Sequence, residues 1–293
     1  MKIFYAVLLN FLILSNTACA GTPVNVKLHV IDDDKQSVSN AKVGMGFLLA
    51  KSGNSFDGIT DDDGYLETTN VATYGVRISI TKNDYYFSGR RTGYGDQDLT
   101  LVLRQKKNPI AMYAKKMRLV TSEPLYNTWV GYDFEKGDFL PPYGKGVVKD
   151  IETSYDYQKT DGWNYSYRLK VRFPNKGDGL VPFYPVTRDS DFKSDYLAPE
   201  SGYEQEWKFH KISKGQGTPL DTNKDKNRNY YFRIRTQMDD EGNVASAYYG
   251  KLYGEFTEQS FYFNPTENDR NVEFDIRKNL FKNLPFGERI NKP

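Results

Sequence analysis

The best metal candidate in the sequence is the run Asp221-Thr222-Asn223-Lys224-Asp225-Lys226-Asn227-Arg228-Asn229. The oxygen side chains of Asp221, Asn223, Asp225 and Asn227 fall at alternate positions. They can converge on one side of a loop, which a hard cation such as Ca²⁺ requires. The first three ligand positions match an EF-hand-like loop. The rest departs from it: Lys226 stands where the turn glycine belongs and Phe232 where the bidentate glutamate belongs. Lys224, Lys226 and Arg228 oppose a cation, and most runs of this kind are polar loops. Calcium is therefore the one cofactor to test, and no other is implied. Asp61, Asp62 and Asp63 are explained by a hairpin turn.

A second chemistry is stacking. Aromatic residues make up 15% of the chain, with 23 Tyr, 18 Phe and 3 Trp. Exposed Trp and Tyr give flat, rigid platforms with a polar edge, suited to sugar rings. Trp129 and Trp207 are the candidate ligand-binding residues. Trp163 opens an alternating apolar face and reads as core.

Catalytic chemistry finds less to work with. His29 and His210 are the two histidines, which leaves few partners for a serine triad. His29 falls on the polar side of a strand. His210 follows Trp207-Lys208-Phe209 and suits core or site. A glycosidase-type carboxylate pair needs only two acids at a set separation, and 38 acids neither exclude nor locate it. No G-x-S-x-G, P-loop or dinucleotide fingerprint occurs. The net charge is +2, too balanced for an electrostatic nucleic-acid binder unless the charge gathers on one face. Arg104, Lys106 and Lys107 form a small basic cluster that reads as a solvated connection.

The elements that must position these residues are strands. Val24, Val26, Leu28 and Val30 alternate with Asn25, Lys27 and His29, the period of a half-buried strand. Ala41–Leu49, Val76–Thr81 and Asp98–Arg104 continue the pattern. Asp32–Lys35 and Thr60–Tyr65 read as turns, with Gly64 available for positive φ. Short strands divided by Gly and Asp turns predict an antiparallel sandwich. Further on, Trp163, Tyr165, Tyr167, Leu169 and Val171 share one face, and Tyr230, Phe232 and Ile234 another. Asp240–Asn243 reads as a hairpin turn leading into a strand from Val244 to Phe256. Ile110, Tyr113, Ala114 and Met117 show the only helix-like spacing. Two segments, Gly131–Gly146 and Tyr262–Asp275, mix turn-formers, aromatics and charges and read as ordered loops packed on the sandwich.

The first set of strands resembles a known family. Val26–Asp32, Ser39-Asn40-Ala41-Lys42-Val43, Thr60-Asp61-Asp62-Asp63-Gly64-Tyr65 and Lys82-Asn83-Asp84-Tyr85-Tyr86 are similar to the carboxypeptidase regulatory-like family. The resemblance covers about residues 22–105 and implies a transthyretin-like sandwich used as an accessory module. It does not bring peptidase activity, because neither histidine sits in an H-x-x-E or H-E-x-x-H arrangement. Gly131–Gly146 and Tyr262–Asp275 are similar to segments of bacterial secreted proteins that carry the same kind of first domain, and that likeness supplies no activity.

The N-terminus reads as an export signal: basic Met1-Lys2, apolar Ile3–Leu14, and Ala18-Cys19-Ala20 as the cleavage pattern. The apolar stretch is shorter than the about 20 residues of a membrane span, and no later segment is apolar enough to cross. Cys19 is the sole cysteine; it is either lost with the leader or becomes a lipid anchor, although Asn16 stands where an apolar residue is expected before a lipidated cysteine.

These readings give an all-β protein: signal peptide 1–20, a transthyretin-like antiparallel sandwich over 21–105, and a second β-rich domain over 106–293, with a short linker near Gln105–Pro109. The expected function is non-enzymatic binding in the bacterial envelope, at the periplasm or cell surface, or as an outer-membrane lipoprotein. The expected partner is a glycan or another envelope protein, with no nucleic acid. The alternative is a secreted hydrolase with a carboxylate pair in the second domain.

Overall fold

The computed structural model describes residues 21–50, 53–122, 124–255 and 259–293. The expected export signal and Cys19 lie outside the described residues. The protein is all-β. Among the described residues the helical content is one 3-10 turn, Phe286–Glu288, and no helix is long and apolar enough to cross a membrane. The chain divides into two compact units, one running to Asn83 and including Phe87–Leu103, the other formed by Asp84–Tyr86 and Arg104–Pro293.

The first unit is a two-sheet sandwich. Its strands are β1 (Thr22–Ile31), β2 (Lys42–Leu48), β3 (Gly53–Ile59), β4 (Tyr65–Ala72), β5 (Val76–Thr81), β6 (Ser88–Arg91) and β7 (Gln97–Val102). One sheet runs β4-β1-β7 and the other β3-β2-β5-β6. The alternation expected in β1 is met, with Val24, Val26, Leu28 and Val30 buried. The sandwich is not wholly antiparallel, since β1 and β7 run parallel. The Asp61–Tyr65 turn also differs from a simple hairpin, because β3 and β4 lie in different sheets. Asp61 organises it by accepting from Asp63 N and Tyr65 N. Gly64 has φ +76, and a Cβ there would meet the Val30 carbonyl oxygen at 2.7 Å, so this position needs glycine.

The second unit is a larger sandwich. One six-stranded sheet is β10-β9-β11-β12-β14-β15, from β9 (Trp129–Asp133), β10 (Asp138–Phe139), β11 (Ile151–Lys159), β12 (Asn164–Arg172), β14 (Glu206–Lys214) and β15 (Asp221–Thr222). The other is β13-β16-β17-β18-β8-β19, from β8 (Ile110–Met117), β13 (Gly179–Phe183), β16 (Asn229–Met238), β17 (Val244–Tyr253), β18 (Gln259–Phe263) and β19 (Phe274–Asn279). The core between them joins Tyr132, Ile151, Leu169 and Phe209 to Phe232, Leu252, Phe261 and Phe263. The Asp240–Asn243 turn joins β16 to β17 as expected, with Gly242 at φ +84 and Asp239 accepting from Glu241 N and Asn243 N.

The helix-like spacing at Ile110–Met117 is corrected by the structure, which makes it strand β8. Both faces of β8 are covered. Met117 and Tyr113 pack into the main core, while Met112 and Ala114 pack with Tyr262 and Phe274 on the other side. A strand buried on both faces loses its alternation and mimics helical spacing.

Of the basic cluster expected to form a solvated connection, Arg104 is corrected, whereas Lys106 and Lys107 are exposed as expected. Arg104 is buried and donates to the carbonyls of Phe192 and Ser194. Lys106 N donates to Asp84 O. Lys107 N and Asn108 N donate to the carboxylate of Glu273, at 2.9 and 2.6 Å, and the Tyr86 hydroxyl donates to it at 2.8 Å. A buried carboxylate needs this many donors to offset its lost hydration. The backbone of Lys106–Asn108 is thus bonded into the second unit. The expected loop Tyr262–Asp275, which supplies Glu273, is loop only between its ends, since Tyr262–Phe263 close β18 and Phe274–Asp275 open β19.

Gly250 on β17 tests the packing of this unit. A Cβ there would run into the Phe232 ring and the Tyr262 carbonyl oxygen. The carbonyl is backbone and cannot swing away. Gly250→Ala is therefore expected to cost about 1–3 kcal/mol, read as a lower urea midpoint with an unchanged slope. An unchanged midpoint would show that β17 can shift at this point.

Candidate functional site

The apolar face of β12 outruns its cover. Register places Tyr155 opposite Leu169, Tyr157 opposite Tyr167 and Lys159 opposite Tyr165, so these residues share the inner face of the sheet with Val171. Burial then falls along β12 toward its start. Val171 and Leu169 are core, Tyr167 and Tyr165 are half-buried, and Trp163 is 58% exposed. Trp163 is thus corrected from core to surface, because it lies just before the strand at the open end of the face. The alternation was legible; the length of the opposite sheet was not.

The result is a row of tyrosines. Tyr126 meets Tyr155 edge-on at 5.9 Å and Tyr157 at 6.4 Å between centroids. Tyr155 lies 6.3 Å from Tyr167, which stacks on Phe209. Lys211 Nζ sits 5.5 Å over the Tyr165 ring. Partial burial and the neighbouring phenols push Tyr155 up to about 12, so it keeps its proton throughout the physiological range. Each ring offers an apolar face and a hydroxyl that both donates and accepts. The row can therefore stack against a ligand and bond to it.

The two tryptophans singled out in the sequence are not brought together. Trp129 lies on the outer face of the sheet, opposite Ser154, and is 37% exposed. The Arg172 guanidinium covers its indole at 4.1 Å and is itself held by Glu152 at 2.6 Å. Trp207 is opposite Val171 on the inner face, half-buried and edge-on to Tyr230 at 5.0 Å. Its indole N–H is enclosed without a hydrogen-bond partner beside a cavity of about 50 Å³.

The four calcium candidates are engaged separately. Asp221 opens β15 and its Oδ1 lies 3.0 Å from His210 Nε2. Asn223 accepts from His210 N and donates to Lys208 O, so its amide extends the strand ladder in place of backbone. Asp225 caps Asn227 N at 2.9 Å and is bonded by the Tyr184 hydroxyl. Asn227 contributes its backbone to that turn and to Asn229. Among the described residues no group of three or more His, Cys, Asp or Glu side chains is placed to hold a metal ion. His29 is half-buried, stacked on Tyr65 at 4.1 Å and bonded to Ser37.

A cleft of about 310 Å³ opens between the sheets at the β8–β10 edge, and Asp138 and Glu288 both line it. Neither acid stands idle. Asp138 accepts from Phe139 N and Lys145 N, and Glu288 holds Lys115 at 2.7 Å. Elsewhere Asp133, Glu135 and Asp150 come together, but all three are bonded to Arg235.

No family model matches the chain, and no curated protein matches it. Among solved structures, a candidate carbohydrate binding protein from Bacteroides uniformis aligns over 84% of this chain and 98% of its own. The identity is 11% and the TM-score 0.21, a likeness too slight to carry fold or function across.

Proposed function

We propose that the protein is an exported, non-enzymatic glycan-binding protein of the bacterial envelope. The tyrosine row of β11 and β12 is its platform. The observation that carries this reading is the half-buried end of the inner face, where Tyr126, Tyr155, Tyr157 and Tyr167 meet ring to ring and Tyr165 follows on the same face of β12. Rigid amphipathic rings give contact area at low entropic cost. The first unit is read as a carboxypeptidase regulatory-like accessory module; its seven strands in two sheets support that reading. The export-signal pattern read at 1–20 supports a periplasmic or cell-surface location, with lipidation of Cys19 as the alternative anchoring.

The test is a glycan array probed with residues 21–293 and with Tyr165→Ala and Trp129→Ala variants. The expected result is a reproducible hit weakened roughly ten-fold by Tyr165→Ala, about the loss of one good aromatic contact. Trp129→Ala should leave it nearly intact, since Arg172 already covers that ring. An array without hits would overturn the glycan reading and favour an envelope protein as the ligand of the same row.

A further inference from the structure

The cleft at the β8–β10 edge has a composition of its own. Its wall includes Lys115, Arg118, Tyr132, Asp138, Phe139 and Glu288, and its volume of about 310 Å³ falls at the lower end of the range for small-ligand sites. Tyr132 is 3% exposed, and its hydroxyl has no hydrogen-bond partner. Its ring packs edge-on against Phe139 at 5.3 Å and Phe261 at 6.3 Å. A buried hydroxyl left unpaired costs free energy that a guest oxygen would restore.

The charges of the cleft divide into those already engaged and those left over. Asp138 is engaged by two backbone N–H groups and Glu288 by Lys115. Lys115 uses two of its three donors, on Glu288 and on Gly137 O. Arg118 is exposed and has no ion pair among the described residues. Burial pushes the Tyr132 phenol well up, and Asp138 and Glu288 push it the same way, so it stays a donor. Arg118 is also among the charges that act on Tyr155 of the row.

We infer that this cleft receives the carboxylate of an acidic sugar, with Arg118 as its counter-ion and the Tyr132 hydroxyl and Lys115 as donors. The inference rests on the glycan reading and names the class of glycan: a uronic or sialic acid unit whose neighbours lie along the tyrosines. A guanidinium matches a carboxylate with two parallel hydrogen bonds, whereas a neutral hydroxymethyl group offers it neither charge nor fork.

The experiment is an array of uronate- and sialate-containing glycans, each paired with its carboxyl-reduced, uncharged counterpart. The purified protein and its Arg118→Gln, Tyr132→Phe and Tyr165→Ala variants are compared on it. Hits are expected among the acidic members, weakened ten-fold or more by carboxyl reduction. Arg118→Gln should remove that advantage without touching binding of the reduced forms, and Tyr132→Phe should lower acidic binding a few-fold. Hits that survive carboxyl reduction and Arg118→Gln but vanish in Tyr165→Ala would overturn this inference and leave the glycan reading standing. The absence of hits on either series would overturn both.

Discussion

Arg235→Leu is expected to destabilise the second unit by about 3–5 kcal/mol, the usual cost of stranding buried charges. Arg235 reaches from β16 to the opposite sheet. Its Nε donates to Asp150 at 2.8 Å, Nη1 to Glu135 at 2.8 Å, and Nη2 to Asp150 at 3.2 Å and Asp133 at 3.4 Å. Asp133 and Asp150 are almost fully buried. Burial acts to raise Asp133, but the N–H groups of Val148, Val147 and Lys136, together with Arg235, hold it below its ordinary value. The same aspartate therefore organises the Glu135–Val148 loop and faces the guanidinium, and losing the cation leaves its buried charge with the backbone donors alone.

Backbone and pH give this prediction two further signatures. Arg235 has φ +55, within a bulge where the β16–β17 register shifts between Ile234 and Gln237. The bulge turns a side chain that strict alternation would send outward toward the other sheet. Left-handed backbone favours glycine, so Arg235→Gly should lose less stability than Arg235→Ala by about 1 kcal/mol, the reverse of ordinary strand preference. The pH effect has a definite sign. Burial holds Asp150 at about 6 despite Arg235, above its ordinary 3.8. Folded protein thus binds this proton more tightly than unfolded protein, and the contribution of Asp150 to stability falls as pH rises through that window. Without Arg235 the window extends upward. The deficit of Arg235→Leu should be largest near pH 7.5 and shrink toward pH 5 as the aspartates take up protons. Urea midpoints at the two pH values check this, and a deficit that does not change with pH would mean the carboxylates find other cations.

Fold class was legible because it depends on local period. β1, β12 and β16 each announce themselves by alternation, and the turns at Asp61–Tyr65 and Asp239–Asn243 by Asp and Gly. The site was legible only by half. Tyr165 and Tyr167 could be placed on one face, but whether that face is core or platform depends on how far the opposite sheet extends, which no local pattern encodes. Trp129 drew attention as a stacking residue, yet its cover, Arg172, lies on a different strand. The loop Asp221–Asn229 showed a ligand-like spacing, but its oxygens answer donors on β14 and within the loop. Arg235 was invisible as a keystone, since its carboxylates lie 85 to 102 positions away in the chain.

Lys251→Met is expected to raise stability near neutral pH, against the usual direction of core substitutions. Lys251 is 0% exposed, with its Nζ 3.0 Å from the Tyr253 hydroxyl and 3.3 Å from Ser194 Oγ. The rings of Phe192, Tyr253 and Tyr262 surround it at 4.4 to 4.9 Å and would welcome a cation. Burial outweighs them, and the nearby Arg104 adds to it, so the amine is pushed well below 10.5 even with Glu273 pulling the other way. A base whose pKa falls on folding binds fewer protons folded than unfolded. Stability therefore rises with pH between the folded value and 10.5, and at neutral pH the penalty is already in force. Each ten-fold loss of proton affinity on folding amounts to about 1.4 kcal/mol. Methionine fills nearly the same volume and titrates nothing. The polar groups it leaves behind keep partners: Tyr253 accepts from Lys193 N and Ser194 N, and its hydroxyl lies 3.4 Å from Ser194 Oγ. The gain should be about 1–4 kcal/mol at pH 7, the range seen when buried charges give way to apolar groups. It should close as the pH approaches 10. Thermal midpoints of the two proteins across that range decide the matter. A methionine variant that is less stable at pH 7, or parallel to the wild type at every pH, would mean that the aromatic cage holds Lys251 as an ammonium ion and that the three rings, rather than burial, set its charge.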